Sequence, residues 1–487
     1  MGFASTLGNR FKAEFTGRFI AVASGAILTV LLARLLDPDG YGLFYLSLSI
    51  LGSVQLLGRL GIPKSAARYI TEYKEQDPSQ IRHIIVFSLV LNVGLLAFVS
   101  FALILSAEWI AEFMGEPELT LLLLIGVLHI IFAALKSYSR SILQGFEAIK
   151  PAAITYAVDN STRLLLAVGL VVLGYGAVGA LVGYVLAHVI GTVLGLGYIY
   201  SRFYRSLESG VVKSGIRRRI TEYSVSLAGT DTATVLDKRV DTILVGFFVG
   251  PIGVAYYTIG KQVISFVKTP ISALGFSISP TIEAERAKGN PDTAVKLYEE
   301  ALSHSLLLYI PAAAGLILVA EPLVELVFGT DYLGAVLVLQ ILALYVVLKS
   351  VTSLTSHTLD FLGRARERAI IKLISAVLNI LLNILLIPRY GVPGAALATV
   401  ITFSLYTFVN LYIMHDELGL RVHVLFNHVG VVSAITAVMS AVVYSLLGFV
   451  TGFVTLLLVV GVGVVVWAVL SIATGLLDLN RLSSTLA

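Results

Sequence analysis

Lys136, Asp159, Arg163, Asp231, Asp237, Lys238, Arg239, Asp241, Lys261, Lys268 and Lys349 stand inside long apolar runs of this chain. An ionised side chain at the centre of a bilayer costs roughly 2.5–3.5 kcal/mol on insertion scales. Facing lipid, the whole set would cost on the order of 30 kcal/mol by the same scale. These residues are therefore expected to line a water-filled cavity or to pair with one another. Their spacing favours the cavity. Asp159 and Arg163 are four apart, share a helix face and can pair. Asp231, Thr234, Lys238 and Asp241 form a helical stripe, and Lys261 and Lys268 share a face seven residues apart. Arg239 points away from its neighbours' stripe, toward an adjacent helix. Basic residues outnumber acidic ones in the set, so such a cavity attracts anions. Structural ion pairing is the competing account.

Other polar residues read more simply. Arg59 and Arg140 lie near helix ends, where long side chains snorkel to the interface. His129 is expected to be a packed, hydrogen-bonded histidine, and Asn379 and Asn383 interhelical hydrogen-bond partners. Asp37-Pro38-Asp39 resembles a glycosyltransferase metal motif, but it sits in a short turn, where turn chemistry explains it. Gly179/Gly183, Gly191/Gly195 and Gly448/Gly452 have the spacing of close helix packing. No catalytic residue and no metal site is indicated. There is no cysteine, hence no disulfide framework. No P-loop is present, which excludes ATP as the direct energy source.

The elements that must position these charges are membrane helices. Hydrophobic residues make up 57% of 487 positions and charged residues 13%, against roughly 25% charged in soluble domains; mean hydropathy is +0.91. Apolar runs of about 20 residues, the length needed to cross a bilayer as helix, begin near 16, 42, 83, 119, 152, 177, 221, 251, 300, 333, 370, 392, 427 and 452. The expected fold is all-α and polytopic, with about 14 spans. The first run follows Arg10, Lys12 and Arg18, so an internal signal-anchor is expected in place of a cleavable leader.

The chain also repeats itself. Tyr175-Gly176-Ala177-Val178-Gly179-Ala180 returns as Tyr390-Gly391-Val392-Pro393-Gly394-Ala395 about 215 residues later. Pro38 and Gly40 return as Pro251 and Gly253, and Leu135-Lys136-Ser137 as Leu348-Lys349-Ser350. Two six-span units in parallel orientation are expected: an N-lobe over 1–200, a connector over 201–220, a C-lobe over 221–415, and two appended spans with a tail over 416–487. Short surface helices are expected from Lys64 to Glu75 and from Thr281 to Lys296. Most of the 34 Lys and Arg fall in alternate loops, so both termini are expected to be cytoplasmic and the protein a multi-pass protein of the cell membrane. Positive charge spread over short loops does not suit nucleic acid.

Several stretches carry a resemblance. Ala33-Arg34-Leu35-Leu36-Asp37-Pro38-Asp39-Gly40-Tyr41-Gly42-Leu43-Phe44, Gly58-Arg59-Leu60-Gly61-Ile62-Pro63 with Arg68-Tyr69, Leu143-Gln144-Gly145, and Asp241-Thr242-Ile243-Leu244-Val245-Gly246 before Gly250-Pro251 resemble the Wzx-type oligosaccharide flippases. That group belongs to the multidrug/oligosaccharidyl-lipid/polysaccharide (MOP) exporter superfamily. The resemblance implies a V-shaped pair of lobes that alternate access. It implies movement of a polyprenyl-(pyro)phosphate-linked oligosaccharide from the inner to the outer leaflet, in a pathway shared with glycosyltransferases or a polymerase. On that reading Arg163, Lys238, Lys261, Lys268, Lys349 and Lys136 bind the anionic headgroup. Asp159, Asp231, Asp237 and Asp241 shape the field, and one of them is a candidate to bind a coupling H+ or Na+; no other cofactor is expected. A lipid II-type flippase and a cation-coupled drug exporter of the same superfamily are the alternatives.

Overall fold

The computed structural model describes the backbone of residues 3–208, 210–268 and 271–477, and the side chains of these apart from 3–18, 229–238 and 271–277. Helices occupy nearly all of it, and no strand occurs among the described residues. Lipid leaves exposed backbone groups without partners, and a helix satisfies them within itself. Ten helical stretches among the described residues are long and apolar enough to cross a membrane.

The chain divides into two units, Met1–Ala255 and Tyr256–Ala487. The first contains α1 (Phe3–Leu35), α2 (Pro38–Arg59), α3 (Ile62–Gln76), α4 (Ile81–Met114), α5 (Leu119–Gly145), α6 (Ile149–Leu170), α7 (Gly176–Arg202) and α8 (Ile216–Val249). The boundary falls within α9 (Pro251–Val267). The second unit continues with α10 (Ile271–Ala287), α11 (Pro291–Val327), α12 (Ala335–Phe361), α13 (Ala365–Tyr390), α14 (Val392–Leu418), α15 (Val422–Leu446) and α16 (Phe453–Ala473).

The sequence repeat is a backbone repeat. Gly176 has φ 53° and ψ −142°, and Gly391 has φ 62° and ψ −143°. Both values lie where a side chain would strain the chain, so glycine is required at each hairpin. A Cβ on Gly179 would stand 3.1 Å from the Leu170 carbonyl, and one on Gly394 would stand 2.4 Å from the Leu386 oxygen. The recurring glycines therefore let each hairpin close. Pro38 and Pro251 each open a helix, where the missing N–H costs nothing. Asp37 caps α2 by accepting from the Gly40 N–H at 2.7 Å, which accounts for the Asp-Pro-Asp motif. Packing repeats too. In the first unit α3 and α7 pack on α5, and α6 on α7; in the second α10 and α14 pack on α12, and α13 on α14.

The surface helix expected at Lys64–Glu75 is α3, with Ile62, Ala66, Tyr69, Ile70 and Tyr73 buried along one face. The one expected at Thr281–Lys296 does not form as a unit. Its start ends α10, a turn with Gly289 at φ 82° intervenes, and its remainder opens α11 behind Pro291. The run beginning near 251 is divided between α9 and α10, as α2 and α3 divide the first copy. The appended α15 and α16 pack on α11, where the Trp467 indole donates to the Leu307 carbonyl at 2.9 Å. Gly448 and Gly452 lie in the turn between them and approach nothing, because they flank a loop and not a helix face.

The connector is fastened to the first unit. Gln80 donates to the Val211 carbonyl at 2.9 Å and accepts from the Lys213 N–H at 3.0 Å. The Ser79 hydroxyl and the Lys213 ammonium hold the Asp77 carboxyl below its usual range. Ser65 and Tyr69 of α3 donate to the carbonyls of Ile220 and Arg219 at the start of α8.

Candidate functional site

A cavity of about 450 Å³ lies inside the first unit, bounded by α2, α5, α6, α7 and α8. Small residues on α7 bring three of these helices together. A Cβ on Gly183 would meet the Ala167 backbone of α6 at 2.4 Å, and one on Gly195 would meet Ser139 of α5 at 2.3 Å. Thr192 donates to the Phe132 carbonyl at 3.0 Å, tying α7 to α5 again. The two glycine pairs on α7 thus pack as their spacing implies.

Gly191 opens space for a buried triad. A Cβ there would stand 3.2 Å from the Lys136 side chain and 3.3 Å from the Asp159 carboxylate. The Lys136 ammonium donates to Asp159 Oδ2 at 2.7 Å, and His188 Nδ1 lies 2.7 Å from Asp159 Oδ1. Lys136 Nζ and His188 Nδ1 are 3.2 Å apart. An ionised carboxylate only accepts, so His188 holds its proton on Nδ1 and donates it to Asp159. Asp159 is 1% exposed and uses both oxygens on these partners. The expected Asp159–Arg163 pair does not form. Lys136 and His188, on neighbouring helices, reach the carboxylate, while Arg163 donates to Asn160 Oδ1 at 2.7 Å.

Lys136 joins four arginines around the cavity: Arg59, Arg140, Arg163 and Arg239. No carboxylate lines it among the described residues. Arg163 lies 4.9 Å from the Tyr184 ring centroid, and its buried Nε has no hydrogen-bond partner among the described residues. Arg140 stacks over Tyr156 at 4.0 Å. Arg239 crosses from α8 to donate to the Leu48 carbonyl, lying where a side chain on Gly52 would collide with it. Arg59 donates to the Ser137 hydroxyl. Arg59 and Arg140, expected to snorkel, both line this cavity. His129 is buried, and its Nδ1 has no hydrogen-bond partner among the described residues. Its ring centroid is 5.0 Å from that of His188.

The remaining candidates are distributed elsewhere. Lys261, Lys268 and Lys349 belong to the second unit. Their ammonium groups lie 5.0, 5.9 and 5.4 Å from the rings of Tyr257, Tyr345 and Phe403, within the range of cation–π attraction. Asp241 is buried on α8. The side chains of Asp231, Asp237 and Lys238 lie outside the described residues. Asn379 donates to Thr402 on the next helix at 3.3 Å, and Asn383 donates to the Asn379 carbonyl at 2.9 Å. His188 and Tyr184 were not legible as site residues one at a time. The repeat carried a signal for His188: counted from the repeated tyrosine, its counterpart is Phe403. Lys136 meets a histidine where its copy Lys349 meets an apolar ring.

The described residues thus form a polytopic helical membrane protein with a cation-lined cavity inside its first unit. The chain belongs to the polysaccharide biosynthesis protein family, which matches residues 15–284, and the MatE family matches residues 233–385. Both lie within the MOP exporter superfamily. An uncharacterized membrane protein of Methanocaldococcus jannaschii is 26% identical over 76% of this chain and 88% of its own. The probable low-salt glycan biosynthesis flippase Agl15 of Haloferax volcanii is 24% identical over 88% of both chains. Among solved structures, the lipid II flippase MurJ in an inward closed conformation has a TM-score of 0.75 at 18% identity, covering 94% of this chain and 97% of its own; that is a likeness of fold.

Proposed function

We propose that the protein flips a polyprenyl-phosphate- or diphosphate-linked oligosaccharide from the cytoplasmic to the outer leaflet of the cell membrane. The observation that carries this reading is the cavity wall: one lysine, four arginines and no carboxylate among the described residues. A phosphate or diphosphate brings oxygens that accept charge-assisted hydrogen bonds, each worth about 1.5–3 kcal/mol. Arginine suits such a group because its planar fork grips two oxygens at once. Tyr45, Tyr156 and Tyr184 on the same wall offer ring faces and hydroxyls to sugars. The bias of basic residues toward alternate loops supports an orientation with both termini on the cytoplasmic side, where glycosyltransferases would assemble such a lipid. Lys261, Lys268 and Lys349 are assigned a supporting role for the same headgroup in the second unit. A coupling H+ or Na+ would have to compete at Asp159 with the Lys136 ammonium, which donates to its Oδ2 at 2.7 Å.

Headgroup sign is the test. In lipid nanodiscs, geranyl diphosphate is expected to bind at least about tenfold more tightly than geraniol, the equivalent of one charge-assisted bond. The difference should shrink with added salt at exposed contacts. Preference for a cationic amphiphile, with drug-dependent cation flux, would support a drug exporter instead.

A further inference from the structure

A second cavity, of about 330 Å³, adjoins the first at the end of α2 and α5. Three residues line both cavities: Arg59, Ser137 and Arg140. Lys64 and Ser141 line only the second, and Ala133 and Arg163 only the first. The Arg59–Ser137 hydrogen bond runs from α2 to α5 through the wall that the two cavities share. We propose that the outer cavity is a separate reception site for the phosphate or diphosphate group of the carrier lipid, and that this hydrogen bond is the partition the anion displaces on its way inward. The inference rests on the anionic-headgroup reading above.

The backbone around this wall is built for position. Leu60 takes the left-handed conformation, φ 36° and ψ 40°, a strained choice for a residue with a branched side chain. Gly61 follows at φ 71°, and a Cβ on it would press into Leu227 and the Ser224 carbonyl of α8, at 2.6 and 2.7 Å. This break ends α2 at Arg59 and starts α3 so that Lys64 falls in its first turn. On the opposite wall, Gly145 of α5 packs against the Ala67 carbonyl, and Thr71 donates to the Gly145 carbonyl at 3.0 Å. Both sides of the outer cavity are thus anchored to α3.

In the partition Arg59 donates to a neutral hydroxyl. A phosphate oxygen is a stronger acceptor for the same guanidinium, because both groups then carry charge. Once released, the Ser137 hydroxyl can itself donate to the anion. Arg140, stacked on Tyr156, keeps its ring-facing side on the aromatic while the guanidinium edge carries its N–H groups. An anion leaving the outer cavity therefore stays in contact with Arg59 and Arg140 until Lys136 and Arg163 come within reach.

The chain has no cysteine, so single reporters can be placed without background. Ser141→Cys reports the outer cavity and Ala133→Cys the inner one, each read as the rate of maleimide alkylation in nanodiscs. Geranyl diphosphate is expected to protect both. Lys64 is exposed, and Lys64→Gln should raise the half-protecting concentration at Ser141→Cys by at least about fivefold, the scale of a 1 kcal/mol contact, leaving Ala133→Cys unchanged. Lys64→Arg should restore it, and Arg163→Gln should give the reverse pattern. Ser137→Ala should speed protection of the inner reporter. Both reporters moving together in every variant would mean one site and overturn the proposal. Protection of Ala133→Cys alone would remove the outer site and leave the headgroup reading standing, whereas no protection at either position would sink that reading as well. Inorganic pyrophosphate protecting Ser141→Cys where geranyl diphosphate does not would assign the outer cavity to free phosphate and overturn the lipid assignment.

Discussion

Asp159→Ala is expected to destabilise the first unit by about 3–5 kcal/mol, the cost of leaving a buried ion-pair partner alone. The substitution would strand the Lys136 ammonium and the His188 Nδ1 proton, both now held at 2.7 Å by the carboxylate. Asp159 itself is 1% exposed, so the lost oxygens belong to a buried partner. The double variant Lys136→Met with Asp159→Leu should recover most of the loss, because removing both charges together avoids the desolvation penalty. Thermal unfolding in nanodiscs checks the pair of values. A loss under about 1 kcal/mol for Asp159→Ala would place the triad in a wet environment and contradict its structural role. The recovered double variant then asks a functional question: if it is stable but inactive, the Lys136 charge serves the cargo as well as the fold.

Arg163→Gln is expected to weaken diphosphate binding by about 10- to 100-fold, corresponding to one or two charge-assisted hydrogen bonds. Arg163 is oriented by Asn160 at 2.7 Å and by the Tyr184 ring, and its Nε proton has no partner among the described residues. A buried donor left in that condition is costly and is best explained by a ligand or a bound water. Glutamine keeps some hydrogen bonding but removes the charge. Arg163→Lys should fall between the two, since an ammonium neither stacks on tyrosine as a plane nor offers a fork. Titration of geranyl diphosphate against the three proteins decides it; equal affinities would take Arg163 out of the site.

The duplicated turns were legible because their chemistry is local. Gly176 and Gly391 stand at backbone angles that other residues avoid, so the repeat had to appear in the letters. The chain's helical membrane character was legible for a similar reason, since composition alone sets the solvent. The pairing of charges was not. Helix spacing put Asp159 beside Arg163, yet the carboxylate faces α5 and α7, and rotation of α6 against its neighbours decides that. Arg59 and Arg140 looked like interface anchors because their depth along the helix was visible and the pocket beside them was not. Arg239 reaches α2 through a gap that exists only because residue 52 is glycine. Such complementarity between distant positions leaves no periodic trace in one sequence.

The most direct measurement is leaflet exchange of a fluorescent polyprenyl-diphosphate-linked oligosaccharide in proteoliposomes, followed by a membrane-impermeant quencher. Transfer is expected only with protein present, and it should fall at least about tenfold with Arg163→Gln, in step with the loss of one charge-assisted bond. A matched lipid with an uncharged linker in place of the diphosphate should remain in its leaflet. Equal transfer of the charged and uncharged lipids, or none with several polyprenyl-linked glycans, would contradict the assignment of this cation-lined cavity to a flipped anionic headgroup.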